Sequence, residues 1–202
     1  MEGRGTHTRT QDCLSPLLGY RLKLAGMKIT VFQPQHGLAL VHHGRLTWGE
    51  HTIDCALGKT GITGSKTEGD HATPVGMFPL RRLLYRSDRL NRPDTRLPAM
   101  AIRPNLGWCD DVASPAYNRL VRRPCPWRHE ALWREDRLYD LVVVLGHNDA
   151  PPVPAMGSAV FLHVAADNLA PTEGCVAIPT SNLIALIEKC GPGDTLEIQS
   201  PH

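Results

Sequence analysis

The sequence predicts a mainly β, α+β domain, and three observations carry that prediction. Apolar runs of four to seven residues recur along the chain, Leu38–Val41, Tyr139–Leu145 and Ala159–Leu162 among them, a length that suits strands rather than helices. Eighteen glycines and 17 prolines, against only 5% aromatic residues, separate those runs with turns. Breaker-free helical spacing is confined to two short stretches, 129–137 and 182–190, so one or two short helices are expected. With 202 residues, 42% of them hydrophobic, the chain suits one well-cored domain. Residues 27–202 are expected to form it, and residues 1–26 to be an N-terminal extension, disordered or added by a misassigned start.

The first convincing strand begins at Met27-Lys28-Ile29-Thr30-Val31. Leu38–Val41 reads as the next, followed by a tight turn at His43-Gly44, then Leu46-Thr47-Trp48 and a strand over Thr52–Leu57. Gly58–Gly76, rich in Gly, Thr, Ser and Lys, is an extended loop, because strand pattern resumes at Met77–Leu80; Lys66, Thr67 and Glu68 are expected near the mouth of a site. Residues 81–98 carry six arginines, at 81, 82, 86, 89, 92 and 96, a charge run that reads as a solvated face.

Residues 104–138 are the least regular and hold three of the four tryptophans. They suit either a lid over a reactive intermediate or a satellite cluster packed beneath a loop. His129–Arg137, at their end, has the pattern of a short helix. Tyr139–Leu145 is apolar enough to be buried on both faces and ends at Gly146-His147-Asn148-Asp149. After the stiff turn Pro151–Pro154 comes the strand that ends at His163. Thr180 or Ser181 is expected to cap a helix over Asn182–Cys190, with Leu183, Leu186 and Ile187 on one face and Gly191 as the stop; Thr195–Ile198 is the final strand.

Chemistry concentrates in Val160–Pro179. His163 follows the apolar run Ala159–Leu162, and Cys175 follows Gly174 and opens a second run, Val176–Ile178. The eleven residues between them include the turn formers Asp167, Asn168, Pro171 and Gly174, so the connection is able to fold back and bring imidazole and thiol within hydrogen-bond reach. Cysteine nucleophilic catalysis needs such a pair, because only the thiolate attacks and a neighbouring base raises its population. His147, at another strand end, competes with His163 for the role of base.

The same stretch resembles the L,D-transpeptidases of bacterial cell-wall synthesis, the YkuD family. That family has a His at a strand end, a loop, and a Ser/Thr-His-Gly-Cys signature; here His163 and Thr172-Glu173-Gly174-Cys175 take those places. Upstream, Thr73-Pro74-Val75-Gly76-Met77-Phe78 looks like the family's Thr-Pro-x-Gly-x-Phe motif, and together the two extend the resemblance from about Lys28 to Gln199. The chain departs from the pattern at Glu173, where the family has His, at Ala177, where an Arg or Asn follows the Cys by two, and in a shorter His-to-Cys loop, so it is similar to a variant branch. The resemblance implies an antiparallel β-sandwich or barrel, with Cys175 as nucleophile, His163 as general base and the Gly174 and Cys175 backbone N–H groups holding an oxyanion. It also implies substrate positioning by His147, Asn148, Thr172 and Glu173, and an arginine from 81–98 in place of the one missing after Cys175.

The substrates implied are peptidoglycan stem peptides, cross-linked through a Cys175 thioester. Hydrolysis by an L,D-carboxypeptidase or amidase, and a cell-wall-binding module without catalysis, are the alternatives. The family implies a periplasmic or envelope location, although Met1–Gly26 has no recognisable export signal and no stretch is long enough to span a membrane. A net charge of +2 with both signs dispersed gives no footprint for nucleic acid. No cofactor is expected. The cysteines at 13, 55, 109, 125, 175 and 190 include no C-x-x-C pair or compact His/Cys spacing, so no metal is expected either, and Cys109 with Cys125 is the one disulfide to test.

Overall fold

A computed structural model describes residues 26–34 and 40–201. The strands in chain order are Lys28–Phe32 (β1), His43–Trp48 (β2), His51–Ala56 (β3), Ile62–Thr63 (β4), Thr73–Pro74 (β5), Gly76–Tyr85 (β6) and Ala99–Ala101 (β7). They continue with Leu106–Cys109 (β8), Leu120–Arg122 (β9), His129–Ala131 (β10), Leu141–Leu145 (β11), Phe161–Val164 (β12), Val176–Ile178 (β13) and, after the helix Thr180–Ile187 (α1), Thr195–Ile198 (β14). The expectation for residues 1–26 falls almost wholly outside the described residues.

Eight of these strands close into a barrel in the order β11-β12-β13-β3-β2-β1-β14-β6, because β6 pairs with both β14 and β11. Most pairings are antiparallel, but β1–β14 and β12–β13 are parallel, so the barrel is mixed rather than purely antiparallel. The register of β6 shifts against β11, where Val144 faces Arg82 and Leu145 faces Leu80. The extra residue, Arg81, moves the inward positions from Phe78 and Leu80 to Leu83.

Side-chain alternation divides each strand between two cores. Leu141, Val143 and Leu145 of β11, Leu162 and Val164 of β12, and Val176 and Ile178 of β13 join the large core, to which α1 contributes Leu183, Leu186 and Ile187. Val142, Val144 and Phe161 point the other way, under a three-stranded sheet in the order β10-β8-β9. Leu106, Trp108 and Leu132 of that irregular region pack on them, with Trp108 edge-on to Phe161 at 5.2 Å. The insertion is therefore a packed roof over one outer face of the barrel.

Several local expectations give way to long-range pairing. Leu38 and Ala39 lie outside the described residues, while Leu40 and Val41 are each 56% exposed and Val41 is in a turn, not a strand. His43-Gly44 is not a turn: it begins β2, which pairs with β3 over six residues, and Gly49 at φ 52° makes the turn instead. At Gly44 a Cβ would meet Leu57 Cδ1 at 2.8 Å, so close packing within the strand explains that glycine.

No helix forms over 129–137 among the described residues. His129 and Ala131 pair with Cys109 and Gly107, a ladder that outweighs the local helical pattern, and Asp136 then turns the chain by binding Arg134 and the Leu138 N–H. The C-terminal helix starts earlier and ends earlier than expected, with Pro179 at its cap position and Thr180 and Ser181 inside it, so neither is the cap. Cys109 and Cys125 are free thiols.

Candidate active site

The parallel pairing of β12 and β13 brings the two candidate residues together. His163 faces Ala177 and Leu162 faces Val176, so Cys175, one residue earlier, falls opposite Phe161. Two-residue alternation then puts His163, Phe161, Cys175 and Ala177 on one face, beneath the roof. The thiol is 7% exposed and the imidazole 5%, and both line a cavity of about 560 Å³.

The turn before Cys175 is held by hydroxyls. Thr172 Oγ1 donates to the Cys175 carbonyl at 2.7 Å and accepts from Gly174 N–H at 3.2 Å. Thr73 Oγ1, fully buried, donates to the same carbonyl at 3.1 Å and accepts from Gly58 N–H at 2.8 Å. The two sequence motifs therefore meet on one oxygen atom. Gly174 has φ 129°, and a Cβ there would lie 2.9 Å from the Ala72 carbonyl oxygen, so both conformation and space demand glycine. Its N–H is engaged by Thr172, which leaves it unavailable to an oxyanion in this arrangement.

Thiol and imidazole do not form a hydrogen bond to each other here. Cys175 Sγ donates to the Ala159 carbonyl at 3.2 Å and accepts from Phe161 N–H at 3.4 Å. His163 Nδ1 lies 2.8 Å from the Val164 carbonyl, a partner that can only accept, so Nδ1 carries the proton and Nε2 is the basic nitrogen. Burial pushes the Cys175 thiol up to about 12, and it pulls His163 down to about 4. At neutral pH both groups are therefore neutral at rest.

Tyr139 packs edge-on against His163 at 5.2 Å and donates its hydroxyl to Glu130 Oε1. Burial raises the Glu130 carboxyl above its usual range, with the Tyr139 hydrogen bond opposing, and it raises Tyr139 further still. Arg134 forks Asp136 through Nε and Nη2, lies 3.6 Å from Glu130 through Nη1 and stacks 5.0 Å from the Tyr139 ring centre. Arg128, Glu130 and Arg134, all from the irregular insertion, form one wall of the cavity.

Of the loop residues expected near the mouth, Lys66 and Glu68 line the cavity; Thr67 does not. Thr172 and Glu173 line it as well. Glu173 is ion-paired with Lys59 and in contact with the His71 ring nitrogen Nδ1, and the Lys59 hydrogen bond leads in holding its carboxyl below the usual range. His147 and Asn148 are outside that lining. The His147 ring nitrogen Nε2 is bonded to the Met156 carbonyl at 3.0 Å, and Asn148 clamps Val153 and Gly157, so the pair secures the turn leading into β12.

The arginine run does not reach the cavity either. Arg81 forks Asp149, Arg86 forks Asp88, Arg89 binds Asp140 and Arg96 donates to the Lys189 carbonyl. The cavity arginines are Arg128 and Arg134, beyond the run. These, with Glu130 and Tyr139, escaped sequence reasoning; the one signal was that the insertion is polar and aromatic at once. Among the described residues, no group of three His, Cys, Asp or Glu side chains is placed to hold a metal ion, and no helix is long and apolar enough to cross a membrane.

The YkuD family model, described as the L,D-transpeptidase catalytic domain, matches residues 26–198. No curated protein sequence matches. Among solved structures, the chain is similar to Mycobacterium tuberculosis L,D-transpeptidase 1 at 12% identity and a TM-score of 0.35, covering 86% of this chain and 61% of that one. It is similar to an L,D-transpeptidase from Mycobacterium smegmatis at 11% identity and a TM-score of 0.36, covering 87% and 60%. The chain thus spans about three fifths of the length of each. With a family match running from the start of β1 to the end of β14, the chain belongs to the YkuD family of L,D-transpeptidase catalytic domains.

Proposed function

We propose that the protein is a cysteine acyltransferase acting on peptidoglycan stem peptides, an L,D-transpeptidase with Cys175 as nucleophile and His163 as general base. The observation that carries this reading is the shared cavity, lined by both a buried thiol and a buried imidazole whose Nδ1 is bonded to the Val164 carbonyl. Because both groups rest neutral, the proton leaves Sγ as the substrate is attacked rather than beforehand. Nε2 accepts that proton, the Sγ–carbon bond forms, and the carbonyl π pair moves onto oxygen. When the oxygen lone pair returns, the carbon–nitrogen bond breaks and the imidazolium returns its proton to the departing D-alanine amine. The resulting thioester is resolved by the side-chain amine of a second stem.

The zwitterionic wall suits such a substrate. Lys66, Arg128 and Arg134 offer positive charge and Glu68, Asp110 and Glu130 negative charge, matching a stem that carries both carboxylates and amines. Mass spectrometry after incubation with a tetrapeptide stem, or with a carbapenem, tests the chemistry. The expected adduct sits on Cys175 and is absent from Cys175→Ala, whose turnover falls by at least about 10⁴-fold. A Cys175→Ala variant with full activity would sink the reading. Cross-linked dimers mark transfer, whereas tripeptide alone marks the L,D-carboxypeptidase alternative.

A further inference from the structure

Lys66 is a charged residue where charge is costly, its side chain only 9% exposed. It is ion-paired with Asp70, a carboxylate that also accepts from the Thr67 and Ala72 N–H groups at 2.9 Å each. That carboxylate is thereby anchored, and the ammonium beside it is held in place. The lysine stem runs in a slot walled by two glycines. A Cβ at Gly157 would lie 2.8 Å from Lys66 Cγ and 2.9 Å from Cε, and a Cβ at Gly174 would lie 3.3 Å from Nζ. Both glycines have positive φ, 86° and 129°. The ammonium therefore lies against the backbone immediately before the nucleophile and opens on the same cavity as Cys175.

An ammonium has three protons to donate, and Asp70 Oδ1 takes one. Meanwhile the neighbouring Gly174 N–H, an expected oxyanion donor, is committed to Thr172 Oγ1. Acyl transfer needs donors aimed at the oxygen on which charge develops, and in a buried site a fixed cation serves better than a mobile one. We propose that Lys66 is a catalytic residue whose ammonium stabilises the oxyanion formed when Cys175 attacks the substrate carbonyl. The Sγ–carbon bond forms, the π pair moves to oxygen, and Lys66 donates a hydrogen bond to it without giving up its proton. This role rests on the acyl-transfer reading above. It also gives the 58–76 loop a chemical purpose, with Asp70 as the positioning residue for the lysine.

The test compares two reactions of Cys175 in the full chain. Thioester formation with a tetrapeptide stem creates an oxyanion; alkylation by iodoacetamide, followed on the Cys175 peptide, does not. Lys66→Met is expected to slow acylation by about 10²–10³-fold while alkylation stays within about threefold of wild type. Acylation by Lys66→Met at the wild-type rate, or an equal fall in both reactions, overturns the proposal. Asp70→Asn covers the case in which Lys66→Met does not fold, since it keeps the ammonium and removes its counter-charge. Acylation that falls in Asp70→Asn while alkylation and the melting temperature hold supports the anchored ammonium, and acylation at the wild-type rate in that variant overturns it. If the wild-type protein alkylates at Cys175 but forms no thioester, the acyl-transfer reading itself falls, and this role falls with it.

Discussion

The two faces of β12 carry the same strand into two different environments. Leu162 and Val164 point into the large core among aliphatic neighbours, whereas Phe161 and His163, one residue away in each direction, point under the roof toward Cys175, Tyr139 and the charged wall. One face is a stability device with no polar demand to satisfy. The other accepts a buried imidazole, a buried thiol and a high carboxyl, each costly, and compensates with hydrogen bonds to fixed carbonyls and hydroxyls. Adjacent residues of one strand thus divide between the core that holds the fold and the face on which the proposed chemistry rests.

Substitutions on each face test that division. The largest stability change is expected from Leu162→Ala, which removes buried aliphatic volume and costs about 2–5 kcal/mol in urea unfolding, while the rate of Cys175 acylation per folded molecule stays within about threefold. A comparable loss of acylation would mean that the faces are coupled.

His163 tests the other face through pH. Burial lowers its folded-state pKa from 6.5 to about 4, so below pH 6.5 the unfolded chain binds a proton that the folded chain refuses. Stability is therefore expected to fall as pH drops through that window and to level near pH 4, by about 3 kcal/mol in total. Urea midpoints of wild type and His163→Gln at pH 7 and pH 4.5 isolate this contribution from that of the carboxylates. Equal pH slopes in the two proteins would refute the buried neutral imidazole.

Thr73→Val is the smallest expected change and probes the joint between the loop and Cys175. It leaves the Gly58 N–H without its acceptor and the Cys175 carbonyl with one hydroxyl instead of two, for about 1–3 kcal/mol. Acylation should slow about tenfold as the turn loosens. Unchanged melting and unchanged acylation together would show that Thr172 suffices.

Where a pattern is local, the sequence was readable. The β11 run and Thr195–Ile198 stand where their apolar spacing put them, whereas His163 and Cys175, expected within hydrogen-bond reach, line one cavity without bonding to each other. The failures share a cause as well. His129–Ala131 has helical neighbours in sequence but strand neighbours in space, and His43-Gly44 has turn composition but a six-residue partner in β3. In both places, hydrogen-bond ladders formed with distant residues outweigh propensities of a few tenths of a kcal/mol per residue.

By itself, the sequence determined the alternation within each strand, and the glycine and threonines that shape the turn before the thiol; the register of β12 on β13 then set His163 and Cys175 on one face. Tertiary structure alone decided what surrounds them. Thr73 reaches the Cys175 carbonyl across 102 residues, Lys66 lies against Gly174 across a comparable span, and the wall of Arg128, Glu130 and Arg134 comes from an insertion with no periodic pattern. Period-two alternation is a property of the backbone and survives in the linear chain. Proximity between a loop lysine and a strand cysteine exists only once the barrel has closed and its roof has packed.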